Sequence, residues 1–117
     1  MAGFSMHGEL IKDGDASGGL AVTLYESGSV TTRTLAATEF LHVVDVQLYC
    51  ETGGDVWLVA DGKTDGQYVA HAALDAKGGV ILHFNKPYIC PRGTGLKLYG
   101  AASNLNICLV EGFITEG

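Results

Sequence analysis

The chain has 117 residues, of which 47% are hydrophobic and only 17% charged, with 7 Lys+Arg against 13 Asp+Glu and a net charge of −6. That length suits one domain, and the acidic balance excludes a nucleic-acid groove or an anionic membrane surface as partner, because both need a basic footprint. No apolar stretch reaches the roughly 20 residues a membrane-spanning helix requires.

Met1 to His7 lack the basic and apolar regions of a secretory signal. Residues 1–19 mix five charged or His positions with five Gly and show no sustained period, which predicts an extended N-terminal arm with a short strand at 8–11. From Leu20 the pattern shifts to period 2. Strands are expected at 20–25 and 29–35, separated by a turn at Glu26-Ser27-Gly28. The longest candidate covers 39–51, with Phe40, His42, Val44, Val46, Leu48 and Cys50 assigned to the core face. Leu41, Val43, Asp45, Gln47 and Tyr49 fall on the other face. Further strands are expected at 55–61, 67–73, 80–84, 96–100 and 104–115, with turns at Gly53-Gly54, at 61–66 and at Gly78-Gly79. The one helical alternative, a turn over 70–77, is stopped by Gly78-Gly79.

About eight short strands and no convincing helix predict an all-β chain. The expected form is a single antiparallel β-sandwich, with the jelly roll as the favoured eight-strand form. The domain covers 20–117 behind the arm. Several strands read as apolar on both faces, which places Leu41, Val43, Tyr49, Trp57, Val59 and Ile81 on second faces that meet another subunit. Tyr99, Cys108 and Val110 also read as second-face residues. Cys50, Cys90 and Cys108 are an odd count with no CxxC pair, so free thiols are expected and structural zinc is disfavoured.

Residues that could carry chemistry do not cluster. His7, His42, His71 and His83 show no His-x-His spacing, and no metal site is expected. Asp13, Asp15 and Ser17 open like a calcium loop, but Leu24 stands where the closing Glu is needed. Cys90, between Ile89 and Pro91, is the most accessible thiol in this reading, without an acidic orienter or oxyanion donor beside it. No phosphate loop or dinucleotide fingerprint occurs. Neither a catalytic site nor a cofactor is expected. Trp57 and the Tyr residues offer a rival, a glycan-binding module in which rings stack on sugars.

The stretch 39–117 carries a more specific pattern. Gly78-Gly79-Val80-Ile81-Leu82-His83-Phe84-Asn85-Lys86-Pro87 is followed by Gly93-Thr94-Gly95, then Leu96-Lys97-Leu98-Tyr99-Gly100-Ala101-Ala102, then Val110-Glu111-Gly112-Phe113. This resembles small jelly-roll virion proteins of tailed bacteriophages, particularly capsid decoration (cement) proteins. The resemblance implies a homotrimer that binds the major capsid protein on the capsid exterior, assembled in the host cytoplasm, and no active site. It also implies an arm whose anchors would be Phe4, Met6, Leu10 and Ile11. The alternative kept beside it is a glycan-binding β-sandwich of a phage fibre or tail tip.

Overall fold

Alternating apolar residues separated by Gly-rich turns leave the chain little choice but to pair strands and bury one face of each sheet. The structure is a computed structural model that describes residues 4–15, 19–26, 30–60, 68–100 and 102–116, with backbone alone at 4–6, 9–15, 68 and 102–105. Nine strands form: β1 (Phe4–Asp15), β2 (Leu20–Ala21), β3 (Thr23–Glu26), β4 (Glu39–Cys50), β5 (Gly54–Ala60), β6 (Tyr68–Leu74), β7 (Gly78–Ile89), β8 (Leu96–Gly100) and β9 (Ala102–Glu116). They build a five-stranded sheet of order β3-β1-β9-β4-β7 and a four-stranded sheet of order β2-β8-β5-β6.

Counting β2 and β3 as one strand that changes sheet at Val22, the pairing is nested. The first strand pairs with the last (β1–β9), β2 with β8, β4 with β7 and β5 with β6, all antiparallel. A long hairpin wrapped so that its two arms remain paired is the jelly-roll topology, which the alternation and turn spacing anticipate. Residues 4–15 depart from the expectation of an arm. They form an inner strand hydrogen-bonded to β9 on one side and β3 on the other. The strand expected at 29–35 reduces, among its described residues, to a single bridge between Tyr25 and Thr32.

The core lies between the sheets. Leu41, Val43, Val46, Leu48, Cys50, Cys108, Val110 and Ile114 from one sheet meet Val56, Leu58, Ala60, Leu96 and Leu98 from the other. Fully burying one such aliphatic side chain contributes about 1.5–3 kcal/mol. Glu39, only 5% exposed, is held by an ion pair with Arg33 and accepts a hydrogen bond from the Ala36 amide at 2.8 Å, which ties down the β3–β4 connection.

One residue decides which side of β4 faces inward. Val43 pairs with Gly112 and Asp45 with Glu111, so Val44 is an extra residue without a partner, a β-bulge. Before it, Leu41 and Val43 are buried, and after it Val46, Leu48 and Cys50 are. The expected second face of β4 therefore holds only past the bulge, at Asp45, Gln47 and Tyr49. Leu41 and Val43, like Cys108 and Val110, are core residues with at most 1% exposure.

Candidate interaction surface

Sandwich interiors hold ligands only where side chains leave room, and here the inner faces are filled by the aliphatic core and three free thiols. Cys90, expected as the accessible thiol, is fully buried. Burial pushes the thiols of Cys90 and Cys108 up to about 12, which keeps them protonated and unreactive. Among the described residues no group of three or more His, Cys, Asp or Glu is placed to hold a metal ion. The calcium-like run 13–18 and the turn 61–66 lie outside the described side chains.

The outer face of the five-stranded sheet follows from strand register. Its central row runs Tyr25, His7, Glu111, Asp45, His83 across β3, β1, β9, β4 and β7. Two carboxylates stand directly opposite each other, flanked by imidazoles. His83 Nδ1 lies 2.6 Å from Asp45 Oδ1, and His7 stacks on Tyr25 with ring centroids 5.1 Å apart. Opposed like charges on neighbouring strands repel, and the His83 contact offsets part of that repulsion.

On one side of this row His42 stacks on Phe113 at 4.4 Å and its Nε2 lies 2.8 Å from Thr115 Oγ1. Burial lowers the pKa of His42. The Arg92 guanidinium sits 5.2 Å above the Phe40 ring. On the other side the rows are apolar. Ile81 and Leu109 flank Gln47, and Gly79 and Ile107 flank Tyr49. Together Gln47, Tyr49, Gly79, Ile81 and Ile107 line a shallow apolar depression, where Ile81 is 71% exposed.

The outer face of the four-stranded sheet carries Tyr99, Trp57 and His71 in one cross-strand row. Trp57 and His71 are stacked at 5.1 Å with only 7° between their planes, and His71 Nε2 contacts Asp55 Oδ1 at 3.1 Å. Neighbouring strands lie about 4.8 Å apart, so rings stacked at that spacing stand on edge from the sheet. One indole face is occupied by imidazole, and Tyr99 is covered by Gly19, where an added Cβ would fall 2.6 Å from the phenol Cζ. Sugar recognition by stacking needs an open ring face, which this row does not offer on the Trp57–His71 side.

Of the six residues expected at a subunit interface, the structure brings together two, Tyr49 and Ile81, diagonal neighbours on β4 and β7. Trp57 sits on the opposite face of the molecule, and Val59, though outside the core cluster, is only 7% exposed. The backbone of Phe4, Met6, Leu10 and Ile11 belongs to β1, and their side chains lie outside the described residues. Sequence reading missed Ile107 and Leu109. Their signal was the odd-numbered run Ile107, Leu109, Glu111, Phe113, Thr115 on one side of β9. No family model, curated protein or solved structure matches the chain.

Proposed function

We propose that the chain is a structural virion protein of the capsid-decoration kind. It binds the outer capsid surface as a homotrimer and stabilises contacts between capsid subunits. Capsid and lectin domains and cupins all use jelly rolls, so the architecture alone does not choose among them. The observation that carries this reading is the apolar outer face around Ile81, 71% exposed beside Tyr49 and Ile107. A face of that kind is useful for packing against protein. The scarcity of charge and the net charge of −6 also support a partner other than packaged DNA. Three linked copies on a lattice convert modest single-site binding into avidity.

The test is co-sedimentation of purified protein with capsids of the phage that encodes it, at physiological salt. Saturable binding, lost when Tyr49→Asp and Ile107→Asp, both away from the sheet edge, are combined on a chain that still folds, supports the proposal. Failure of the unmodified chain to sediment with capsids overturns it. A glycan array run beside it separates the rival: a specific sugar hit abolished by Trp57→Ala would favour lectin function.

A further inference from the structure

A sandwich with two open sheets has four outer strands, and each presents a row of unpaired backbone groups unless something covers it. Here β3 is covered: the Glu26 amide donates to the Thr31 carbonyl at 3.2 Å, the Arg33 amide donates to the Leu24 carbonyl at 2.7 Å, and Thr32 bridges Tyr25. The Arg33–Glu39 ion pair holds that covering segment in place. The outer strand β2 is only two residues long. The outer strands β6 and β7 are different. They have seven and twelve residues, and among the described residues nothing pairs with their outward edges. Both run along one side of the molecule, joined by the tight turn through Asp75, Ala76 and Lys77.

The composition of these edges is as telling as their exposure. The far end of β7 carries Lys86 and Pro87, the kinds of residue that discourage edge pairing. Tyr68–Leu74 and the near half of β7, residues 78–82, contain no proline and none of the chain's 7 Lys+Arg or 13 Asp+Glu. Ala70, Ala72, Ala73, Gly78 and Gly79 keep these edges narrow, so another backbone can approach closely. Ile81 belongs at once to the open edge and to the apolar outer face, which makes the two surfaces continuous.

We infer that the occupant of this side is a second copy of the chain, with β7 of one copy adding to the outward edge of β6 on the next. The inference rests on the trimer reading above and locates its interface. Because the two edges differ but lie on the same side, the contact is heterologous, and it closes into a ring when that side faces the symmetry axis. In a closed ring every copy has both edges paired and none remains to recruit further chains. The same contact extends both sheets and needs no charged pair.

The test is molar mass by light scattering over a concentration series, with the fold of each variant checked by far-UV circular dichroism. Ile81→Lys on β7 and Ala73→Lys on β6 each place a cation on an exposed position of one edge, and Val30→Lys, at a position 93% exposed in the loop beside β3, is the control. The expected result is three times the 12.3 kDa chain mass for the unmodified protein and the Val30 variant, and a single chain for the other two. If both edge variants remain trimeric, the interface lies elsewhere and the inference fails while the trimer reading stands. A dimer dissociated by Ile81→Lys alone would overturn β7-to-β6 closure in favour of two-fold β7 pairing. An unmodified chain that stays monomeric at high concentration would remove the trimer reading and the inference together.

Discussion

Replacing Gly112 with Ala should be among the most damaging single-methyl additions in this chain. Gly112 lies on β9 opposite the bulge, paired with Val43, and the bulge swings the β4 backbone towards it. A Cβ built on Gly112 would collide with the His42 carbonyl oxygen and lie 3.1 Å from its carbonyl carbon and 3.4 Å from Val43 Cα. These are backbone atoms, so no side-chain rotation relieves the clash. The two strands would have to part by on the order of 1 Å in an interior packed near crystal density. Overpacking of this kind costs about 1–3 kcal/mol, and each weakened ladder hydrogen bond about 0.5–1.5 kcal/mol more. A loss of roughly 3 kcal/mol follows for two affected bonds, a large share of the 5–15 kcal/mol typical of a domain. In urea the midpoint should fall by about 1.5 M, with m on the order of 2 kcal/mol/M. In a thermal scan the melting temperature should fall by roughly 12 °C. Gly95→Ala is the control, because a Cβ there meets nothing within 4 Å. Both proteins are compared at one concentration, since association shifts apparent stability. A Gly112→Ala midpoint within 0.2 M (roughly 0.4 kcal/mol) of the unmodified protein would refute the packing argument.

Leu41→Ala, at a position with no exposure, should cost about 2–5 kcal/mol, whereas Ile81→Ala should change monomer stability by less than about 0.5 kcal/mol. Equal, small effects in chemical unfolding would restore Leu41 to the surface. His42 has a folded pKa below 6.5, so below about pH 6.5 the unfolded chain binds more protons and stability declines as pH falls. His42→Gln should flatten that decline between pH 7.5 and 5.5, and an unchanged slope would show that His42 does not contribute to it. With Cys90 and Cys108 raised to about 12 and all three thiols buried, Ellman's reagent at pH 8 should label the native protein only as fast as it opens. Immediate reaction of one thiol would contradict this.

The jelly roll was legible because turn residues and period-2 runs survive in the sequence even where burial does not follow them. Strands β4, β5, β6 and β8 lie within a residue or so of the expected ranges. β1 was legible only in part: the short strand expected at 8–11 lies within it, but Gly8 and Gly14 interrupt its alternation, and its full length follows from pairing with β9 rather than from its own pattern. Gly8 shows why a glycine belongs there, since an added Cβ would lie 2.9 Å from Val22 Cγ1 on the adjoining strand. The interface residues were misplaced for a different reason. Parity along β4 was assumed constant, so one uncounted residue at the bulge moved Leu41 and Val43 from core to surface on paper. Cys108 and Val110 were misread on β9, where the true outward set keeps a single parity from Ile107 to Thr115. Tyr49 and Ile81 lie past the bulge or on another strand, and their outward assignment agrees with the structure.

The bulge can itself be tested by deleting Val44. β4 is two half-strands of opposite parity: Leu41 and Val43 point inward before the bulge, Val46, Leu48 and Cys50 after it. Without Val44 the two halves come into phase: Leu41, Val43, Val46, Leu48 and Cys50 alternate regularly on the inner face, and Asp45, Gln47 and Tyr49 stay on the outer one. Removing the extra residue therefore straightens the strand without turning either buried set to solvent. Removing Gln47 instead, past the bulge, would invert one half against the other. If the first half kept its place, Leu48 and Cys50 would leave the core and Tyr49 would turn inward. If the second half kept its place, Leu41, Val43 and Val46 would be exposed and Asp45 would be carried inward, where unpaired charge is strongly disfavoured. The chain lacking Val44 should therefore keep a cooperative unfolding transition, and the chain lacking Gln47 should lose it. A protein that melts cooperatively without Gln47 but fails to fold without Val44 would show that Val44 is not the extra residue of the bulge.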